Sequence, residues 1–307
     1  MKVHYAIDQL PAFTNAVITI GTFDGVHCGH QQIINTLKEA AVNAGGESII
    51  ITFHPHPRKI VASAVTGIRL INTLTERIEL IEQTGIDHLV VVPFTEYFAN
   101  QTAEEYISDF LVDKFHPHTI IIGYDHRFGK ERSGDYKLME DKAAVYNYQL
   151  MEIPVHLLDT IKVSSSNIRE AILHSHIEDA NKLLGYDFFF EGEVVHGDKI
   201  GRTLGYPTAN LKSTDEEKIV LGDGIYAVYV AVDGTRYKAM MSIGFRPTVN
   251  GKKRVVEVNL FDFEKEIYGK VIRVYVVKYL RSEVKFDGLE ALKVQLHKDK
   301  LDSLAVL

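Results

Sequence analysis

In "GTFDGVHCGH", residues 21–30, an aspartate, two histidines and the only cysteine of the chain stand among glycines directly after an apolar run. Three chemistries suit such a set: a metal centre, a reactive thiol, or a cradle for phosphate. A metal needs three or four ligands in a tetrahedral array, and the neighbours His27 and Cys28 rarely both reach one ion. A thiol at a helix start has a lowered pKa, but the sequence shows it no reaction partner. Phosphate fits best. The stretch "HQQIINTLKEAAVNAG" that follows reads as a helix, so the motif joins a strand end to a helix N-terminus, where free N–H groups and the dipole favour anions. Gly25 shapes the turn and Gly29 lets a phosphate approach the backbone. His27 and His30, three apart, can point the same way and donate hydrogen bonds to phosphate oxygens. Asp24 serves either the turn or the site.

A second candidate lies at residues 197–211, "GDKIGRTLGYPTANL". Gly197, Gly201 and Gly205 give a mobile loop able to close over phosphates, and Pro207 stiffens the chain before Thr208 and Asn210. The Thr208 hydroxyl and the Asn210 carbonyl are hard oxygen donors suited to Mg²⁺. The Lys-Ser/Thr ending of a P-loop is missing, so Walker-type binding is not supported.

These motifs need elements to hold them. The first 185 residues alternate short β-branched runs ("AVITIGTF", "SIIITF", "HLVVVPF", "TIIIGY", "LMEIPVHLL") with stretches of helical length, which predicts a parallel sheet with helices on both faces. Thr73 with Glu76, and Thr102 with Glu105, stand at capping-box spacing, and Gly45 and Gly85 act as stops. From about residue 187 the pattern becomes successive strands ("DFFFEGEVV", "GIYAVYVAV", "TRYKAMMSIGF", "RVVEVNLFDF", "VIRVYVVKYL") joined by turns such as "VDGT" and "VNGKK", which predicts an antiparallel sandwich or small barrel. Only the tail "FDGLEALKVQLHKDKLDSLAVL" returns to a helical period, so one C-terminal helix should pack on the barrel. The domain boundary is expected near Gly185.

The 307 residues suffice for two domains, and a single cysteine excludes an intrachain disulfide, in keeping with the cytoplasm. No secretory leader and no apolar run of membrane-spanning length is read. A formal charge of −7, without a basic stripe interleaved with aromatics, argues against nucleic-acid binding. Small-molecule chemistry is the expected business of the chain, and its oligomeric state is not read from sequence.

"GTFDGVHCGH" resembles the HxGH signature of nucleotidyltransferases. With "TFHPHP" (52–57), "IIGYDHRFGKERSGD" (121–135) and "VSSSNIRE" (163–170), the first half is similar to the adenylyltransferase half of bacterial bifunctional riboflavin kinase/FAD synthetases. "GRTLGYPTANL" resembles the PTAN signature of riboflavin kinases, with "VEVNLFDF" and "YLRSEVKFDGLEAL" following in that family's order. The likeness spans nearly the whole chain. It implies an α/β, Rossmann-like nucleotidyltransferase domain over residues 1–185 and an antiparallel β-barrel riboflavin kinase domain with a C-terminal helix over 186–307. The implied substrates and products are riboflavin, FMN, FAD and ATP/ADP, with Mg²⁺ accompanying ATP.

The resemblance also implies roles. His27 and His30 meet the ATP phosphates, while Ser165, Ser166 and Arg169 lie at the other side of the nucleotide; Asn167 with Glu170 equally fits a helix cap. Asp125 belongs to a loop serving nucleotide and flavin, in which His126 replaces the phenylalanine common in the family. His54 and His56, between prolines, face the flavin or form a rigid loop. Glu257 is the general base of the kinase step, and Arg281, after the last strand, belongs to a loop over the flavin product. Two rival readings remain: nucleotidyl transfer to another phosphate acceptor, which the PTAN barrel opposes, and a flavin-binding regulator without turnover. The joint presence of His27, His30, Thr208, Asn210 and Glu257 argues against the regulator.

Overall fold

The computed structural model describes residues 1–61, 69–123, 126–153, 163–197, 200–248 and 251–307. Contacts divide the chain into two compact units, Met1–Ile68 with Asn72–Ser164, and Arg69–Ile71 with Ser165–Leu307.

The first unit is built on a six-stranded sheet in the order β1-β4-β3-β2-β5-β6, comprising β1 (Lys2–His4), β2 (Val17–Ile20), β3 (Ser48–His54), β4 (His88–Pro93), β5 (Thr119–Gly123) and β6 (Gln149–Ile153). Every pairing is parallel, as expected from the alternating pattern. The strand side chains alternate between two cores. Ile18, Ile49, Val90 and Ile120 pack on one face with Ile107 and Phe110, while Val17, Ile50, Leu89 and Ile121 pack on the other with Ile34, Leu37 and Ile81. Burial on both faces explains why these strands read as continuous apolar runs. The fifth predicted strand, β6, runs only to Ile153 before residues 154–162, which lie outside the described residues. β1, three residues long, has no signal in the sequence pattern.

The strand order reverses at β2: β3 and β4 follow on one side, β5 and β6 on the other. In doubly wound sheets the crevice beyond the carboxyl ends of such strands receives the ligand. The segment after Ile20 and the segment after Gly123 both leave from this point.

Helix signals match their positions. Thr73 and Thr102 form both reciprocal bonds of a capping box with Glu76 and Glu105, and Gly45 ends the helix Cys28–Ala44 in the left-handed conformation. The helix begun by Thr102 departs from the simple pattern. After Ala103–Glu105 it widens into a π-helix over Tyr106–Val112, then closes as Asp113–Phe115. The wider turn brings Tyr106, Ile107, Phe110 and Leu111 together into the core.

In the second unit β7 (Phe189–Val195), β8 (Ala209–Ser213), β9 (Gly224–Val232), β10 (Thr235–Thr248), β11 (Gly251–Leu260) and β12 (Val271–Arg281) close into a barrel, ordered β10-β11-β8-β7-β12-β9. All pairs are antiparallel. Between the barrel and sandwich expectations, closure decides for the barrel. Asp233 and Gly234, with φ of 48° and 79°, make the tight turn expected from "VDGT"; Val249 and Asn250 of "VNGKK" lie outside the described residues. The helix Leu289–Val306 supplies the expected C-terminal element, and Tyr229 Oη donates to the Leu307 carbonyl. Two more helices, Ser165–Leu173 and Ile177–Leu184, also join this unit: Asn181 Nδ2 donates to the Val276 carbonyl of β12 at 2.8 Å, and Tyr226 Oη donates to Ser175 Oγ at 2.8 Å. Gly185 caps the second of these helices in the left-handed conformation. The tripeptide Arg69–Ile71 is part of the same unit, with the Leu70 N–H donating to the Glu217 carbonyl and Lys218 Nζ to the Ile71 carbonyl.

Candidate functional site

At the carboxyl end of β2 the chain makes a tight, buried turn. Phe23, Gly25 and Val26 all have positive φ, and Phe23 and Val26 are fully buried. The turn delivers His27 as the N-cap of the helix Cys28–Ala44, with its Nδ1 accepting from the His30 N–H at 3.3 Å. The two imidazoles stack, 3.6 Å between centroids and 13° between planes, so the pair that the spacing suggested is a physical unit. Phe23 packs against His30 at 4.9 Å. Gly29 is needed for this geometry, since a Cβ there would sit 3.3 Å from the His27 ring. Among the described residues His30 Nδ1 is buried without a hydrogen-bond partner. Asp24 is 1% exposed, and its carboxylate accepts from the Asn72 N–H at 3.0 Å, a bond that braces the turn. Cys28 is the first residue of the helix. Among the described residues no group of three His, Cys, Asp or Glu side chains is placed to hold a metal ion.

Sequence reasoning missed what holds this turn from below. Arg77, in the first turn of the helix Leu74–Glu82, is 3% exposed and its Nη1 donates to the Thr22 carbonyl and, at 3.3 Å, to Thr52 Oγ1. Nothing in a local pattern pairs residues so far apart. Asp125 lies outside the described residues. The ring of His126 stacks on Phe128, which stacks on Tyr106, so the histidine continues an aromatic surface. His54 is exposed, whereas His56 is buried with Nδ1 accepting from the Arg58 N–H at 3.2 Å. Ser165, Ser166 and Arg169 belong to the helix Ser165–Leu173 of the second unit, and Arg169 Nε donates to the Arg69 carbonyl at 2.8 Å. Within neither unit are they grouped with the histidine pair.

The barrel holds the second set. Antiparallel register puts Glu257 of β11 directly opposite Asn210 of β8 and Ser242 of β10. Residues so paired share a face, with Cβ atoms about 5 Å apart. Gly197 lies against the Asn210 amide so closely that a Cβ would fall 2.2 Å from Nδ2, and a Cβ on Gly201 would fall 2.3 Å from the Tyr206 carbonyl. Gly205 adopts φ of 84°. Gly197 and Gly201 are thus close-approach glycines rather than open hinges. A cavity of about 800 Å³ opens beside Thr208, Glu257, Ser242, Met240 and Arg281.

Two bonds that support this cavity join residues whose pairing the sequence spacing does not show. Asn259, 5% exposed, donates to the Pro207 carbonyl at 2.7 Å and so ties β11 to the Pro-Thr turn. Its place two residues beyond Glu257, on the same face, is the clue the sequence held. Arg281 ends β12 itself instead of following it, and forms a two-point bond to buried Asp299 of the C-terminal helix at 2.8 and 2.6 Å. Gln295 Nε2 completes the carboxylate at 2.8 Å. The expected loop arginine is therefore a clamped wall residue, because a nearly buried carboxylate one helix away offers it a planar partner.

Buried imidazoles make stability depend on pH. His30 is held well below its ordinary value of 6.5 by burial, then by the charges of His27 and Arg77. On the β1 edge of the sheet His4 is lowered by burial, then by His88 and Lys2; its Nε2 meets His88 Nδ1 at 3.0 Å, and His88 Nε2 meets Glu47 at 3.1 Å. An unfolded chain protonates these rings near pH 6.5, and the folded chain only at lower pH, so the unfolded state binds more protons as pH falls. Stability is expected to be full above about pH 6.5 and to decline below it. Urea midpoints measured between about pH 7 and 5 should show this decline, flattened in a chain carrying H4N and H30Q. An equal decline in both chains contradicts the assignment.

A doubly wound sheet with stacked histidines at its reversal point, joined in one chain to a barrel with a glycine-flanked Pro-Thr turn and a facing carboxylate, defines a two-domain enzyme class acting on phosphates. The family described as FAD synthetase matches residues 10–167, and the family described as riboflavin kinase matches residues 184–307. The bifunctional riboflavin kinase/FMN adenylyltransferase of Bacillus subtilis is 38% identical over 98% of this chain and 95% of its own; that of Escherichia coli K12 is 35% identical over 93% and 90%. A crystal structure described as a macrolide-efflux protein from Streptococcus pneumoniae superposes with a TM-score of 0.88 at 30% identity, covering 98% of each chain. Among the described residues of the present chain no helix is long and apolar enough to cross a membrane. The chain belongs to the bifunctional riboflavin kinase/FMN adenylyltransferases.

Proposed function

We propose that the chain phosphorylates riboflavin to FMN in the barrel, residues 186–307, and adenylylates FMN to FAD in the α/β part, residues 1–185, using MgATP for each step in the cytoplasm. The observation that carries this reading is Glu257, paired in register with Asn210 and lining the 800 Å³ cavity, in the same chain as the stacked His27–His30 pair.

In the kinase step Glu257 draws the proton from the ribityl hydroxyl as its oxygen attacks the γ-phosphorus of ATP, and ADP leaves. The loop bearing Gly197, Gly201 and Gly205 covers the phosphates. Thr208 and Asn210 fit Mg²⁺: both offer oxygen donors, and the missing Cβ of Gly197 leaves room for the Asn210 amide. When bound with ATP, Mg²⁺ neutralises phosphate charge. Arg281, fixed by Asp299, lines the flavin end of the cavity.

In the transferase step the FMN phosphate attacks the α-phosphorus of ATP in line, and pyrophosphate leaves without a covalent enzyme intermediate. The work of the protein is alignment and neutralisation of growing charge. His27 and His30 serve the phosphates together with the backbone at Gly25 and Gly29. Asp125, Ser165, Ser166 and Arg169 hold the nucleotide, as the family likeness supports.

The test is to incubate the pure chain with riboflavin and MgATP and resolve the flavins by chromatography. FMN appearing first, then FAD, is the expected course. No FMN refutes the kinase assignment, and FMN without FAD refutes the transferase assignment.

A further inference from the structure

We propose that Arg77 is a positioning residue of the adenylyl-transfer site: its guanidinium grips the Thr22 carbonyl and holds the strained turn of residues 23–26 so that the His27–His30 stack keeps its place. The proposal rests on the transferase reading above and extends it to a residue with no motif of its own.

The strain is concrete. Phe23 has φ of 49° and Val26 has φ of 36°, flanking Gly25 at 92°. A positive φ costs an ordinary residue of order 1–3 kcal/mol and is a genuine outlier for a β-branched one, so such a turn persists only where the surroundings over-determine it. Here they do. The Thr22 carbonyl receives both Arg77 Nη1 and Thr52 Oγ1, the latter at 3.1 Å. Asp24 is tied to the Asn72 N–H at 3.0 Å, Gln31 Nε2 donates to the Val26 carbonyl at 3.1 Å, and the Val26 N–H closes on the Phe23 carbonyl at 3.1 Å. Asn72, the capping Thr73 and Arg77 lie within six consecutive residues, 72–77, so one stretch of chain braces the turn at two points.

The choice of residue matters as well. Burying a guanidinium is costly unless it is paired and bonded, and a neutral donor could have reached a carbonyl at lower cost. Arg77 is 3% exposed, and its Nε has no hydrogen-bond partner among the described residues. Burial lowers its hold on its proton while the charge of Asp24 opposes that loss. The cation is therefore kept, and its charge bears on His30. The groups bearing on the His30 ring are His27 at its own helix start, Phe23 from the turn and Arg77 from the helix Leu74–Glu82, with Asp24 acting beside Arg77. Burial first, and then the charges of His27 and Arg77, disfavour the charged form of His30. A neutral ring presents one N–H and one lone pair, and stacks closely on His27 without repulsion.

R77M and R77K in the full chain test this with three readouts: FAD formation from FMN, FMN formation from riboflavin in the same molecules, and the titration of His30 by NMR with ¹³C-labelled histidine, assigned by H30Q. R77M is expected to lower kcat for FAD formation about 100-fold, the scale of an ångström-level misplacement, with a smaller change in KM for ATP. Kinase turnover should stay within about twofold, and His30 should titrate at higher pH. R77K, which retains the charge and a donor, should recover part of the rate and keep the His30 titration near that of the parent. FAD formation by R77M within about threefold of the parent, or an unmoved His30 titration, overturns the proposal. If R77M fails to fold, R77K decides: a loss of FAD formation as large as for H30Q, with an intact fold, overturns it. Failure of the underlying reading is separate, since the parent chain would then make no FAD while the His30 titration still reports on Arg77.

Discussion

Replacing Glu257 with Gln should lower FMN formation from riboflavin by about 10² to 10⁴-fold, the usual share of a general base, while added FMN is still converted to FAD. Gln keeps the shape and a hydrogen-bonding oxygen but cannot take up the ribityl proton. The β11 register should survive, because the backbone of Glu257 pairs with Ser242 and Asn210 through ladder bonds that do not involve the side chain. The alternative role for a half-buried strand glutamate is to face water at the mouth of a pocket, and removing such a group costs little in either activity or stability. The two activities in one chain make the measurement self-controlling. A drop in FMN formation of less than tenfold, with FAD formation intact, would remove Glu257 from the chemistry. A parallel drop in both would point to damage to the chain as a whole.

The distinction between what the sequence carried and what it withheld follows sequence separation. Runs such as "SIIITF" and pairs such as Thr73 with Glu76 are local, so periodicity and capping spacing placed them, and the structure contains both. The stacked His27–His30 pair is equally local, three residues apart on one helix start. β8 was hidden because "ANLKS" is short and half polar, reading as the tail of a phosphate loop; only pairing with β7 and β11 makes it a strand. The supports of both sites were hidden for a different reason. Arg77 acts on Thr22 across 55 positions, Asn259 on Pro207 across 52, and Arg281 reaches Asp299 from another element. Arg77 and Asn259 are ordinary polar residues in their own windows, and for Arg281 it is the partner Asp299 that appears only when the fold closes. Motifs thus mark the candidate site, and distant polar residues buried for no local reason mark what holds it in shape.

The same reasoning makes His30, rather than His27, the sharper probe of the transferase site. His27 is both a candidate phosphate ligand and the N-cap of its helix, so His27→Ala removes the bond to the His30 N–H, worth about 1 kcal/mol, and confuses function with folding. His30 Nδ1 makes no hydrogen bond among the described residues, and the ring is held in an environment that disfavours its charged form. Exchanging it for Gln should leave the fold intact and should relieve the acid-side loss of stability. Its expected effect on chemistry is large: FAD formation down by about 10² to 10³-fold, the scale of removing one preorganised donor to a developing anion. Riboflavin and MgATP supplied to H30Q should then yield FMN that accumulates, because the barrel is untouched. Stability and activity are thus predicted to move in opposite directions at about pH 5.5, an outcome that a purely structural histidine does not give. If H30Q forms FAD within about tenfold of the parent rate, the stacked pair is a helix-start device and the phosphates are met elsewhere along the β2–β5 edge.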